Sequence, residues 1–178
     1  VVENPASVVK ELVENSLDAG ATEIDITVEQ GGIRKIQVSD NGIGILKEDL
    51  RTAFVPHATS KINDINDLDS LSTLGFRGEA LASIASVSEI TMASASKAQG
   101  TASKITLSGG IVTGESPDSR NQGTIITVEN LFFNTPARLK FLKKPANELR
   151  QIIDIVRILV LSNPTVSFTL NNEEGEII

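Results

Sequence analysis

The sequence predicts a two-layer α/β sandwich in which a mixed, largely antiparallel sheet carries helices on one face. Apolar residues recur at helical spacing at the start, in the middle and near the end of the chain. At least five segments between them have the pattern of strands, and glycine-containing turns join several of these directly. Short turns favour antiparallel neighbours, and a sheet accompanied by several helices buries one face against them.

A helix is predicted to open the chain. Asn4 suits its N-cap, Pro5 its first position and Gly20 the residue just past its end. Between them, five apolar residues recur at helical spacing: Val8, Val9, Leu12, Val13 and Leu17. One face of this helix is therefore expected to join the core.

Strands and irregular connections are predicted next. Segments 23–29 and 33–39 have the pattern of strands, and Gly31-Gly32 suits a tight hairpin between them. We expect a short helix around 47–54 and a polar, aperiodic and mobile connection over 55–73.

The rest of the chain alternates between helical and strand patterns. A buried helix is predicted at 79–87, followed by strands at 89–94, 102–108, 111–115 and 124–129, with a turn at Gly109-Gly110 and a loop over 117–123. Helices are then predicted at 136–142 and 147–162, a strand at 166–170 and the start of another at 175–178.

Composition excludes several classes of function. The 178 residues suit one domain, and the formal net charge of −7 argues against a protein that coats nucleic acid or an anionic membrane. The absence of cysteine and the single histidine exclude disulfides, thiolate chemistry and His-rich zinc sites. Six phenylalanines without Trp or Tyr argue against a base-stacking platform. No stretch reaches the ~20 apolar residues of a membrane span.

The opening helix carries the first candidate site. Glu11, Asn15 and Asp18 fall within about 60° of one another beside the apolar arc. A carboxylate can take a proton from water, and an amide oxygen can bind Mg²⁺. An ordinary solvated helix face would show the same three residues.

The second candidate is Asp40-Asn-Gly-Ile-Gly44, directly after a predicted strand. Asp40 can accept a hydrogen bond from an exocyclic amine, and Gly42 and Gly44 allow a ligand to approach the backbone. Asp-Asn-Gly is also ordinary turn chemistry. Thr124, after Gly123, either adds a hydroxyl to this pocket or simply begins a strand.

Three further features each allow two interpretations. Gly75-Phe-Arg-Gly78-Glu79 opens a predicted helix, whose free N–H groups can bind an anion, but it is equally a helix start without a ligand. His57 has no Ser or Cys partner at a suggestive spacing and fits an exposed loop residue. The basic cluster fits a solvated helix edge or a patch that follows phosphates: Arg138, Lys140, Lys143, Lys144 and Arg150.

The order of these motifs resembles the four nucleotide-binding motifs of the GHKL ATPases, which include gyrase B subunits, heat-shock chaperones, histidine kinases and MutL. Longer stretches resemble MutL-family DNA mismatch-repair proteins, over residues 1 to about 142. These stretches are Lys10-Glu-Leu-Val-Glu-Asn-Ser-Leu-Asp-Ala-Gly-Ala-Thr22, Asp40-Asn-Gly-Ile-Gly44, His57-Ala-Thr-Ser-Lys61, Gly75-Phe-Arg-Gly-Glu-Ala-Leu81 and Phe133-Asn-Thr-Pro-Ala-Arg138. The resemblance implies the Bergerat (GHKL) fold.

The resemblance also implies a role for each candidate residue. Glu11 would be the general base for the water that attacks the γ-phosphate of ATP, and Asn15 would ligate Mg²⁺. Asp40 would bind the adenine amino group with support from Thr124. Gly42 and Gly44 would shape the pocket. Residues 55–81 would form the ATP lid, which would be poorly ordered without nucleotide, with Lys61 near the nucleotide and Gly75, Phe76, Arg77 and Gly78 around the phosphates.

For the intact protein, the resemblance implies an ATP-driven cycle in mismatch repair. Lid closure and N-terminal dimerisation, as a homodimer or a MutL-homologue heterodimer, would form a clamp around DNA of any sequence and signal to a MutS-type protein. The compartment would be the cytoplasm or nucleoid of a bacterium, or the nucleus of a eukaryote, with no membrane partner.

Residues 1–178 would be a GHKL ATPase domain truncated at its N-terminus and close to the start of the following domain. In the family, a lysine of that following domain and a segment upstream of Val1 complete the site. We therefore expect this chain alone to bind nucleotide weakly, to hydrolyse little and to stay monomeric. Two alternatives are a non-hydrolysing, nucleotide-sensing interaction module on the same fold and a kinase or topoisomerase ATPase. The residues at 75–81 and 133–138 weigh against a kinase or topoisomerase ATPase.

Overall fold

The computed structural model describes residues 2–56 and 79–178. The strands in these ranges are β1 (Glu23–Glu29), β2 (Lys35–Asp40), β3 (Glu89–Ala95), β4 (Ala102–Ser108), β5 (Ile111–Asp118), β6 (Gly123–Glu129), β7 (Ser167–Asn172) and β8 (Gly175–Glu176). They form one sheet in the order β5-β4-β3-β6-β2-β1-β7-β8. The helices are α1 (Pro5–Asp18), α2 (79–86), α3 (Pro136–Phe141) and α4 (Pro145–Ser162).

The start of α1 follows the prediction. Asn4 Oδ1 accepts a hydrogen bond from the Ser7 backbone N–H at 2.9 Å, and Ser7 Oγ accepts one from the Asn4 N–H at 3.2 Å. This reciprocal capping box satisfies two N–H groups that the helix itself leaves free. Gly20 follows the C-cap with φ of +74°, a conformation that glycine adopts easily.

The sheet is mixed because one strand pair is parallel. β1 pairs in parallel with β7, while the other six pairs among the described strands are antiparallel. In β1 the side chains of Ile24, Ile26 and Val28 are buried, and the alternate positions are polar and more exposed. One face of the sheet therefore carries the core, against which α1 and α4 pack.

The core combines the apolar faces of the helices with this face of the sheet. Helix α1 contributes the four most buried residues of its predicted stripe, and α4 contributes a stripe of its own. The main side chains are Val8, Val9, Leu12, Val13, Ile36, Val38, Ile90, Met92, Ile126, Val128, Ile152 and Val156.

Two predicted connections were wrong in detail. The predicted hairpin between β1 and β2 is confirmed, but its connection covers five residues, 30–34, and includes a 3₁₀ turn, Gln30–Gly32, in place of the predicted tight turn. Its glycines serve packing: a Cβ on Gly31 would lie 2.9 Å from the Cα of Pro145, so the turn presses against the start of α4. The helix expected around 47–54 is two separate 3₁₀ turns, Lys47–Asp49 and Thr52–Phe54, neither of which has a side-chain N-cap.

Strand β5 is longer than predicted and runs to Asp118, so the loop expected over 117–123 shrinks to 119–122. Pro117 lies within β5, where it is tolerated because β5 is an edge strand with only β4 beside it. The strand predicted to start at 175 is confirmed as β8. Most of the connection predicted over 55–73 lies outside the described residues.

Candidate functional site

Helix α1 holds Glu11 and Asn15 one turn apart on the border of its buried face. Both side chains are partly exposed, and neither forms a hydrogen bond or an ion pair with another described residue. Lys10 and Glu14 lie on the solvent side, where their charged groups are 3.4 Å apart, as expected from their position on the helix. Glu11 and Asn15 are thus available to a ligand.

Asp40 ends β2 with its carboxylate buried on the helix-covered face of the sheet. The Ser16 hydroxyl of α1 donates to Asp40 Oδ2 at 2.6 Å. The Gly42 N–H donates to Oδ1 at 2.9 Å, and the Thr124 N–H points to the same oxygen at 3.4 Å. Donors from a helix, a turn and a neighbouring strand therefore converge on one carboxylate.

Thr124 and Ser94 continue this polar group across the sheet. Asp40 pairs with Thr124 across β2 and β6, and Thr124 pairs with Ser94 across β6 and β3, so the three side chains share one face. The hydroxyl oxygens of Ser94 and Thr124 are 2.7 Å apart, and Ser94 Oγ accepts the Ile45 N–H at 2.8 Å. We call Asp40, Thr124 and Ser94 the polar row.

The turn after Asp40 is fixed by packing within the protein. Asn41 Oδ1 accepts the N–H groups of Thr22 and Glu23, at 2.8 and 3.0 Å, which ties the turn to the start of β1. A Cβ on Gly42 would lie 2.8 Å from the Ala19 carbonyl oxygen, at the end of α1.

Gly44 has φ of +75°, and a Cβ there would overlap the backbone of Ala95 in β3. The space next to Gly42 and Gly44 is therefore filled by α1 and β3. This is a different reason for glycine from the ligand approach that the sequence suggested.

A cleft of about 560 Å³ opens beside this turn, between Ile43–Leu46 on one wall and Ser96–Ala98 on the other. Gln122 Nε2 donates to the Gly42 carbonyl at 3.0 Å. Burial lowers the pKa of the nearby Arg120 guanidinium, and attraction from the carboxylates of Asp40 and Asp118 opposes that shift. Arg120 therefore adds a positive field close to Asp40.

The structure brings together only some of the residues predicted for the site. Asp40, Gly42 and Thr124 meet directly, Gly44 closes the same turn, and Glu11 and Asn15 lie on the helix that also donates to Asp40. Asp18, which the sequence grouped with Glu11 and Asn15, is exposed. The others lie outside the described residues: His57, Lys61, Gly75, Phe76, Arg77 and Gly78.

Sequence reasoning missed Ser16, Ser94 and Arg120. Ser16 carried a usable signal, because it lies four residues after Leu12 and three after Val13, on the apolar stripe of α1. A hydroxyl at such a position needs a buried partner. Ser94 and Arg120 had no such local signal, because the partner of Ser94 comes from strand pairing and Arg120 approaches Asp40 from a loop distant in sequence.

Comparison with known proteins identifies the family. Over its whole length the chain is 54% identical to the DNA mismatch repair protein MutL of Exiguobacterium sp., covering 29% of that protein. It is 52% identical to MutL of Lactococcus lactis subsp. cremoris, covering 27% of that protein. A model of the family described as histidine kinase-, DNA gyrase B- and HSP90-like ATPase matches residues 3–129. The chain is a MutL-type member of this ATPase family.

A solved structure agrees with this assignment. The Aquifex aeolicus MutL ATPase domain complexed with ADP matches this MutL-type domain with a TM-score of 0.80 and 36% identity, over 100% of this chain and 63% of that one. The predicted fold class and family resemblance are confirmed. The domain spans less than a third of the length of the curated relatives it matches. Among its described residues, no helix has the length and apolarity to cross a membrane.

Proposed function

We propose that this MutL-type domain binds ATP with Mg²⁺ and that the intact protein hydrolyses ATP. The observation that carries the proposal is the polar row, in which the Asp40 carboxylate is held by donors and keeps acceptor capacity for an amino group. A carboxylate with acceptor capacity left suits the exocyclic amine of adenine. The ADP complex of the similar Aquifex aeolicus domain supports a nucleotide as the ligand.

Glu11 is the proposed general base. Its carboxylate takes the proton from the water that attacks the γ-phosphate, and its lack of a partner among the described residues leaves it free to do so. Phosphoryl transfer otherwise depends on positioning and charge neutralisation, so slow turnover gated by closure of a lid is expected.

Asn15 is the proposed protein ligand of Mg²⁺. The described residues contain no group of three or more acidic or histidine side chains that could hold a metal ion. Mg²⁺ keeps several waters and binds through one or two protein oxygens together with substrate phosphates, so a single amide oxygen beside the phosphates fits this ion. When bound there, Mg²⁺ would supply positive charge that offsets the charge of the phosphates, and Asn15 would hold the ion.

The remaining predicted contacts belong to the proposed lid over 55–81. Lys61 would approach the nucleotide, and Gly75, Phe76, Arg77 and Gly78 would surround the phosphates. Except for 55, 56 and 79–81, this segment lies outside the described residues, so these roles rest on the motif resemblance alone.

In the intact protein we infer an ATP-driven switch in DNA mismatch repair. Nucleotide binding would close the lid and dimerise N-terminal domains around DNA, and the clamp would signal to a MutS-type partner. The basic cluster over 138–150 supports a contact with DNA phosphates: its five cationic side chains are exposed, while the single acidic residue of this segment, Glu148, is buried. A local patch of this kind is compatible with the net charge of −7.

The test compares Glu11→Ala with Glu14→Ala in the intact protein. Losing a general base lowers kcat by about 10²–10⁴-fold, while calorimetry with a non-hydrolysable ATP analogue and Mg²⁺ should give the wild-type Kd. Glu14, on the solvent side of the same helix, is the matched control and should leave kcat unchanged.

A companion variant separates the metal ligand from the base. Asn15→Ala should weaken binding of the analogue in the presence of Mg²⁺ and change it little in EDTA. Normal hydrolysis by the Glu11 variant would show that the base is misassigned. A wild-type protein that binds ATP and never hydrolyses it would instead support the nucleotide-sensing module.

A further inference from the structure

Ser16 lies where the helix of the proposed site meets the base-binding carboxylate. We propose that Ser16 is a positioning residue, which fixes the Asp40 carboxylate so that it accepts the amine of adenine and rejects guanine. The inference rests on the proposed nucleotide function and adds a determinant of base selectivity to it.

The hydroxyl of Ser16 has two acceptors within reach. It lies 2.6 Å from Asp40 Oδ2 and 3.3 Å from the Leu12 carbonyl oxygen, and it has one hydrogen to donate. The shorter, charge-assisted contact takes that hydrogen. Ser16 is 3% exposed and follows Leu12 and Val13 on the buried face of a capped helix, so its position cannot adjust freely.

The lone pairs of Asp40 show what this contact achieves. A carboxylate accepts about four hydrogen bonds. Oδ1 faces the N–H groups of Gly42 and Thr124, and Oδ2 faces Ser16, which leaves one acceptor position on Oδ2. The base would therefore meet the same oxygen that Ser16 holds.

Adenine and guanine differ at that position. Adenine presents an amine, which donates to Oδ2, whereas guanine presents a carbonyl oxygen, which repels a carboxylate. Three fixed donors keep the Asp40 side chain from rotating to relieve that repulsion. Removing the hydroxyl frees Oδ2, so both the gain from adenine and the penalty for guanine shrink.

The experiment measures base preference in the intact protein. Calorimetry with Mg²⁺ and three ligands, non-hydrolysable analogues of ATP and GTP and inorganic tripolyphosphate, is run on wild type, Ser16→Ala, Ser16→Cys and Ser16→Thr. Cysteine nearly keeps the volume but donates weakly, and threonine keeps the hydroxyl. Ser88→Ala is the matched control, because Ser88 is also fully buried and donates to a backbone carbonyl, that of Ile84.

We expect Ser16→Ala and Ser16→Cys to lose about tenfold in affinity for the ATP analogue, the effect of one hydrogen bond to a charged group. Affinity for tripolyphosphate should stay the same and affinity for the GTP analogue should not fall, because the penalty for guanine shrinks, so the preference for adenine falls by about tenfold or more. Ser16→Thr should restore the preference, and Ser88→Ala should bind all three ligands as wild type does.

Two results would overturn the inference alone: an unchanged preference in Ser16→Ala, or an equal loss for all three ligands, which would mark a general structural role. A wild-type protein with no preference for the ATP analogue over the GTP analogue would instead contradict the proposed role of Asp40. The wild-type measurement therefore separates failure of the proposed function from failure of the inference.

Discussion

Replacing Gly44 with alanine tests whether the turn after Asp40 is pressed against the sheet. Gly44 has φ of +75°, where an L-residue costs about 1–2 kcal/mol. Its Cβ would also overlap the Ala95 backbone, with the Ala95 carbonyl carbon at 2.7 Å. Forcing extra atoms into a packed site costs about 1–3 kcal/mol, so together the two effects should cost about 2–5 kcal/mol.

Gly100→Ala is the control that separates the two costs. Gly100 has φ of +65°, and a Cβ there would meet nothing within 4 Å. Alanine at this position should cost only the conformational part, about 1–2 kcal/mol. The two variants thus share a backbone strain and differ in the steric overlap.

Amide hydrogen exchange of β2 and β3 in the intact protein measures these costs, because exchange of core amides reports the free energy of opening. At 1.4 kcal/mol for each factor of ten, Gly44→Ala should lower protection roughly 30- to 4,000-fold and Gly100→Ala roughly 5- to 30-fold. Nucleotide affinity should fall only in Gly44→Ala, since the displaced turn carries Ile45, which donates to Ser94. Equal protection in the two variants would refute the packing argument.

Two other predictions concern the ligands. Asp40→Asn replaces one acceptor oxygen with an N–H₂ group that faces existing donors, so affinity for an ATP analogue should drop about 10-fold or more by calorimetry; unchanged affinity would remove Asp40 from the pocket. The double variant Lys143→Glu and Lys144→Glu should weaken duplex DNA binding by the intact protein. In fluorescence anisotropy, the slope of log K against log salt should shrink by about 0.9 for each DNA phosphate that the variant no longer neutralises; an unchanged slope would place DNA elsewhere.

Local sequence signals predicted most of the elements because those signals act over a few residues. The bounds of β1 depend on alternation, and the N-cap at Asn4 depends on residues of the next helical turn. The hairpin between β1 and β2 is confirmed, but its connection is longer than the predicted tight turn, and Gly31 packs against Pro145, more than a hundred residues later in the chain. No local pattern carries that contact.

In the candidate site, too, local signals identified single residues, and contacts distant in sequence brought them together. Asp40 and Thr124 were found as separate motifs, but their meeting depends on the register of β2 and β6, and the N–H of Thr124 is 84 residues away from the carboxylate it faces. Ser94 joins this group because the register between β6 and β3 places it opposite Thr124. The sequence predicted which residue types the site needs, but the packing of α1 on the sheet and the pairing of the strands decide which groups lie around the carboxylate.

The two ends of the proposed pocket differ in how firmly their side chains are held before a ligand binds. At the base end, Ser16, Gly42 and Thr124 hold Asp40 in place before any ligand arrives, so binding adenine does not have to order this carboxylate. At the phosphate end, the side chains of Glu11 and Asn15 make no hydrogen bond or ion pair within the described part of the chain, so the triphosphate must order these side chains when it binds. A ligand that keeps the base and lacks phosphates should therefore retain the selectivity for adenine, while the ordering required for hydrolysis comes only with the full nucleotide.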